Sequence, residues 1–166
     1  MREIEYNRQR AIIYAFKWAY RRNPDYYDFS DIGGDCTNFV SQCIFAGLPV
    51  MNYSPLLGWY YISSDDRAPA WTSVNFLYEF LTENTGYGPY GKLVEIQNAK
   101  EGDIVQYKAI NSDDYTHTMI ITGKLSNNTR DVFVTAHTFD TKNRPLYLYS
   151  YSDIRFIHIE GGRIIQ

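Results

Sequence analysis

Apolar residues Ile12, Ala15, Phe16 and Ala19 recur at i, i+3, i+4 and i+7, the spacing of a helix with one buried face, and predict a helix from about Tyr6 to Arg22. Asn23-Pro24 ends it, because proline lacks the N–H that continues the ladder and biases its predecessor away from helical angles. A second stripe, Cys36, Phe39, Val40, Cys43 and Ile44, predicts a helix that begins at about Cys36 and stops near Gly47 and Pro49. Gly33-Gly34 supplies flexible backbone before it, and Asp35 is a good N-cap residue. Thr72 or Ser73 caps a third helix with Phe76, Leu77, Phe80 and Leu81 on one face, running to about Asn84. Between the second and third helices, Met51 to Pro69 has no clear period and carries Ser54-Pro55, Gly58 and Asp65-Asp66, which predicts a long surface excursion able to wall a cleft.

Beyond the Gly-Tyr-Gly-Pro-Tyr-Gly stretch the pattern changes to short β-rich runs: Leu93 to Ile96, Ile104 to Tyr107, Thr116 to Thr122, Val132 to His137, Leu146 to Tyr149 and Phe156 to Ile159. Helices first and strands second indicate an α+β fold, N-terminal helices packed on an antiparallel β-sheet. Neither a repeat nor a linker interrupts the chain, so residues 1–166 read as one domain, long enough for a single core.

Composition narrows the partners. With 45% hydrophobic and 21% charged residues the chain is ordinarily globular. A net charge of -3 gives no basic face for nucleic acid. No apolar run approaches the ~20 residues of a membrane span, and the N-terminal MREIEYNRQR lacks the apolar core of a signal peptide, so the chain as printed reads as cytoplasmic. Aromatic content of 17% fits either a cleft lined with rings or rings half-buried in the core.

Cys36 and Cys43 stand seven residues apart on one predicted helix, about 10 Å along its axis by the usual rise. That is too far for a disulfide, so both are free thiols. Cys36 opens the helix, where unpaired N–H groups and the positive dipole end favour a thiolate and can receive the oxygen of a tetrahedral intermediate. Cys43, mid-stripe, reads as structural. Asp35 beside Cys36 raises the thiol pKa unless its carboxylate caps the helix, the reading preferred here; holding a substrate amine is the alternative.

Among His117, His137 and His158, the first lies in THTMIIT and shares a strand face with Met119 and Ile121, the face expected under a helix. The turn cluster Ser126-Asn127-Asn128-Thr129 predicts a hairpin between the runs Thr116–Thr122 and Val132–His137. Symmetry about Asn127 sets His137 opposite His117, able to fix its tautomer as the third member of a nucleophile, base and orienter set. A slip of one residue moves His137 to the other face. Asp140, placed in a turn, is the reserve orienter, and His158 reads as structural.

The strings GGDCTNFVSQC, WYY, AWT, EGDIVQY, HTMIIT and AHTFDTKNRPL, in that order from about Tyr6 to His158, resemble the putative amidase domain of bacteria. That family is grouped with papain-like, NlpC-type cell-wall peptidases and amidases, and the resemblance implies their fold, with a catalytic cysteine opening a helix packed on an antiparallel sheet. It further implies Cys36 as nucleophile, His117 as base and His137 as third polar residue, with Asp140 in the same stretch. The implied substrates are amide bonds of peptidoglycan stem peptides or similar short peptides, and the relatives resemble secreted Gram-positive proteins. This chain departs in having neither signal peptide nor wall anchor as printed.

The expected chemistry is covalent amide hydrolysis without metal or cofactor. Three rivals share the residues: a catalytically silent module holding a peptide or glycan, acyl transfer to an amine instead of water, and a zinc site on Cys36, His117 and His137, disfavoured because no local pair has ligand spacing.

Overall fold

The computed structural model describes residues 1–166. In chain order it contains β1 (Arg2–Ile4), α1 (Arg8–Trp18), α2 (Cys36–Gly47), β2 (Tyr61–Ser63), β3 (Asp66–Arg67), α3 (Pro69–Thr72), α4 (Val74–Glu83), β4 (Gly88–Val94), β5 (Ile104–Ala109), β6 (Tyr115–Lys124), β7 (Val132–His137), β8 (Asp140–Pro145) and β9 (Tyr151–Ile164). A seven-stranded sheet has the order β1-β9-β5-β6-β7-β8, with β4 on the other edge of β9, and every pairing is antiparallel. The α+β class expected from the sequence is therefore observed.

Strand alternation splits the core in two. Ile104, Ile120, Ile157 and Ile159 face α1, α2 and α4, packing with Phe39, Val40, Ile44, Leu77 and Leu81. Val105, Met119, Ile121, Val132, Val134 and Phe156 point the opposite way, into a smaller core closed by Ala99, Leu146 and Tyr149. The expectation that Met119 and Ile121 lie under a helix is thus corrected. Their face is covered by irregular segments, and it is the Thr118 and Ile120 face that meets α2.

Other departures have local causes. The first helix is shorter than predicted, Arg8–Trp18, with the Asn7 side chain accepting the Arg10 N–H at its start. Leu146–Leu148 forms a 3-10 turn instead of a strand, plugging Leu146 into the second core as the chain crosses from β8 to β9. The segment DTKNRP, which contains Asp140, is not a turn but β8, a polar edge strand paired with β7 alone, so no apolar alternation announces it. β4 begins earlier than its apolar run because Gly91 lets it close on β9; a Cβ there would stand 2.3 Å from the His158 carbonyl oxygen.

The β6–β7 hairpin shows the register slip that separates its two histidines. Pairing runs from Lys124↔Val132 and Gly123↔Phe133 through a bulge to Ile121↔Val134 and Ile120↔Thr135. Continued, that register sets Thr138, not His137, opposite His117. Symmetry about Asn127 does not hold, because the connection contains a 3-10 turn at Thr129–Asp131 and the bulge adds a residue to β6. His137 consequently joins Phe133 and Thr135 on the helix-facing side, while His117 stays with Met119 on the other.

Candidate active site

Cys36 is the first residue of α2, where Gly33 and Gly34, at φ of 79° and 100°, turn the chain into the helix. A side chain would meet nothing within 4 Å at either glycine, so the requirement is conformational and not spatial. The first intrahelical bond is Phe39 N–H to the Asp35 carbonyl. The N–H groups of Cys36, Thr37 and Asn38 therefore meet no backbone acceptor, and no side chain caps them.

The expected cap is corrected by the structure. The Asp35 carboxylate, 2% exposed, reaches away from the helix N–H groups: Oδ1 accepts Phe29 N–H and Asn38 Nδ2 at 2.9 Å, and Oδ2 takes His137 Nδ1 at 2.7 Å. The other ring nitrogen of His137, Nε2, lies 2.8 Å from the Trp18 carbonyl oxygen, and the ring stacks on Phe39 at 3.9 Å. Arg22 closes this cluster with a two-pronged contact to Asp140, both bonds 3.0 Å, and a longer approach of 3.6 Å to Asp35. His137, Asp35 and Asp140 thus form one network that ties the end of α1, the start of α2 and the β7–β8 corner together. None of the three touches His117.

The remaining residues of the second helix explain its composition. Thr37 shares a hydroxyl bond of 2.9 Å with Thr118 on β6. Asn38 receives Trp71 Nε1–H at 3.0 Å and donates to the Tyr27 carbonyl, Ser41 donates to the Trp71 carbonyl and receives Trp59 Nε1–H, and Gln42 accepts Tyr14. Trp59 and Trp71 are core residues that hold this polar face, so they are not a rim for stacking ligands. Cys43 is fully buried, and both cysteines are free thiols.

The β6–β7 ladder stops at Ile120↔Thr135, which leaves Thr118 without a β7 partner. Beside that opening stands the Cys36 sulfur, 3.7 Å from the Thr37 hydroxyl that bonds Thr118. Burial is the largest influence on the thiol and pushes its pKa up; the N–H and hydroxyl contacts pull it down, and Asp35 adds a smaller upward push. The thiol rests above its ordinary range, against the depression expected of a helix start.

His117, the neighbour of Thr118, is half-buried on the opposite side of β6. Its ring stacks on Tyr107 at 4.5 Å and makes no hydrogen bond, and burial alone lowers its pKa below the ordinary imidazole value. Tyr107 links the two groups: its ring covers His117 while its hydroxyl, raised to about 12 mainly by burial, is also pushed up by Cys36. Through Thr37, Cys36 adjoins β6 at Thr118, the residue next to His117, whose own ring is turned to the opposite face. Sequence reasoning passed over Tyr107 and Thr118; the EGDIVQY string, whose strand pairs Tyr107 with His117, was the available signal.

His158 lies elsewhere, with Nδ1 2.8 Å from Asp103. Asp103, 0% exposed, also accepts Arg8, Lys100 N–H and Ile159 N–H, a buried hub joining α1 to β5 and β9. A polar depression beside it, lined by Arg8, Arg10, Lys100 and His158, sits at the other end of β5 from Tyr107 and includes neither Cys36 nor His117. No three His, Cys, Asp or Glu side chains converge as metal ligands. No helix is long and apolar enough to cross a membrane.

Helices on one face of an antiparallel sheet, with Cys36 opening α2 and His117 on β6, define an α+β protein that carries the candidate site. Residues 5–159 match the family described as Putative amidase domain, and the chain belongs to that family. A relative from Bacillus subtilis (strain 168), called Uncharacterized protein YhbB, is 32% identical over 156 residues, covering 92% of this chain and 47% of the relative. The chain thus spans about half the length of that curated relative. No solved structure matches.

Proposed function

We propose that the protein is a papain-like, NlpC-type cysteine amidase that cleaves an amide bond in peptidoglycan stem peptides or similar short peptides. The observation that carries the reading is the position of Cys36: first in its helix, with an unpartnered N–H, its sulfur 3.7 Å from the Thr37 hydroxyl that bonds Thr118, the residue after His117.

In this mechanism the Cys36 sulfur attacks the carbonyl carbon as its proton passes to the His117 imidazole, and the Cys36 N–H receives the negative oxygen. The C–N bond then breaks, His117 returns the proton to the departing amine, and a thioester remains. Water, deprotonated by His117, adds to the thioester and releases the acid, restoring the thiol. Tyr107 supports the His117 ring by stacking, and the Asp35–His137 pair anchors the helix start. His137 and Asp140 act through that anchor, since neither reaches the His117 ring.

Purified muropeptides incubated with the protein should yield new free amines by mass spectrometry, and Cys36→Ala should abolish them. Full turnover by Cys36→Ala ends this reading. A second reading, a silent peptide- or glycan-binding module, is favoured by the raised thiol and the unbonded His117 ring. Iodoacetamide alkylation followed from neutral to alkaline pH separates the two: the amidase alkylates at Cys36 far faster than at buried Cys43, whereas the binding module shows two sluggish thiols.

A further inference from the structure

On the His117 side of the sheet stands a guanidinium without a counter-charge. Arg144 lies on β8 opposite Val134, whose side chain belongs to the same core as Tyr107 and Met119. Its guanidinium sits 4.9 Å over the Tyr149 ring; the Tyr149 ring is 5.8 Å from Tyr107, and Tyr107 stacks on His117. These contacts form a continuous aromatic floor from the candidate base to the cation.

Arg144 is poorly satisfied for a half-buried arginine. Its Nε is buried with no partner, and its hydrogen bond from Nη2 to the Leu148 carbonyl is long, 3.4 Å. Arg8 and Arg22 both reach carboxylates, and Arg155 binds the Gln106 amide oxygen twice; Arg144 has no acidic neighbour within ion-pair distance. In a chain of net charge -3, a free, partly desolvated guanidinium is best matched by an anion supplied from outside. The planar fork of donors fits a carboxylate in bidentate fashion. Cys36 and Arg144 both act on the Tyr107 hydroxyl, the first raising and the second lowering its pKa, which sets the two within range of one group.

We propose that Arg144, backed by Tyr149, is a specificity residue that binds a carboxylate on the departing amine fragment of the substrate. The assignment of side rests on the reading of His117 as the acid that protonates the leaving amine. The favoured substrate is then a short peptide cut near a free carboxyl end, with the acidic fragment leaving first.

The test compares N-acetylated stem tetrapeptides as free acids and as C-terminal amides. The free acid should show a kcat/KM at least tenfold higher, Arg144→Gln should bring the ratio near one, and Arg144→Lys should restore part of it. Equal kcat/KM for the two wild-type substrates, or a preference that survives Arg144→Gln, overturns the subsite while leaving amide cleavage standing. Calorimetric titration of the same peptides into the Cys36→Ala variant gives a reading without turnover. Tighter binding of the acid that depends on Arg144, with no cleavage by the wild type, keeps the subsite and removes the amidase. Equal or undetectable binding of both forms, again with no cleavage, overturns both.

Discussion

His137 Nδ1 lies 2.7 Å from Asp35 Oδ2, a buried contact between residues 102 positions apart, and it fixes the segment that carries Cys36. The carboxylate immediately before Cys36 is thereby turned away from the helix N–H groups and toward the sheet. The unpartnered N–H of Cys36 is left free for an oxyanion.

Asp35→Asn should therefore have two opposed effects. Removing the charge from a buried pair should destabilise the fold by about 3 kcal/mol, read from urea unfolding. The same change removes an upward push on the thiol, so the pH midpoint of Cys36 alkylation should fall. A purely structural role would lower stability and leave that midpoint unmoved.

Burial favours the neutral forms of both Cys36 and His117, so the resting site is a thiol and an unprotonated imidazole at neutral pH. Alkylation of Cys36 should rise with pH through a midpoint above the ordinary thiol range. The acid limb of kcat/KM should lie below the ordinary imidazole value, because in the proposed mechanism protonation of His117 shuts off the base. For stability the sign follows from the lowered folded pKa: as pH falls through the ordinary imidazole value the unfolded chain binds the proton first, and stability drops until the folded pKa is passed. His117→Gln should remove that component of the pH dependence.

Trp71→Phe tests the support beneath the helix start. The Trp71 Nε1–H is the donor to Asn38 Oδ1, and Asn38 in turn binds Asp35 and the Tyr27 carbonyl. An orphaned buried oxygen costs about 2 kcal/mol, and the loosened first turn should lower kcat more than it raises KM.

Asp103→Ala serves as a control far from the chemistry. It strands Arg8 and His158 and two backbone N–H groups, and should cost about 4 kcal/mol in urea unfolding. In the folded population the alkylation rate of Cys36 should stay within about twofold of wild type, since distant sites act independently.

The second helix was legible almost to the residue, from Cys36 to Gly47, because a 3.6-residue apolar stripe and flanking glycines and proline are local signals. So were the third helix and the Val132–His137 strand, whose alternation is strong. β8 and the short β1 were not, since polar edge strands gain their hydrogen bonds from a neighbour and bury little of their own surface. The candidate nucleophile and base were singled out by residue type and position; their partners were not.

What the chain fixed by itself is the set of reactive groups and the elements that carry them: a thiol at a helix start and an imidazole on a strand. Which side chains meet was decided by the tertiary structure. One bulge in β6 changes the β6–β7 register, and because strand side chains alternate with period two, that alone sends His137 to Asp35 and leaves His117 with Tyr107.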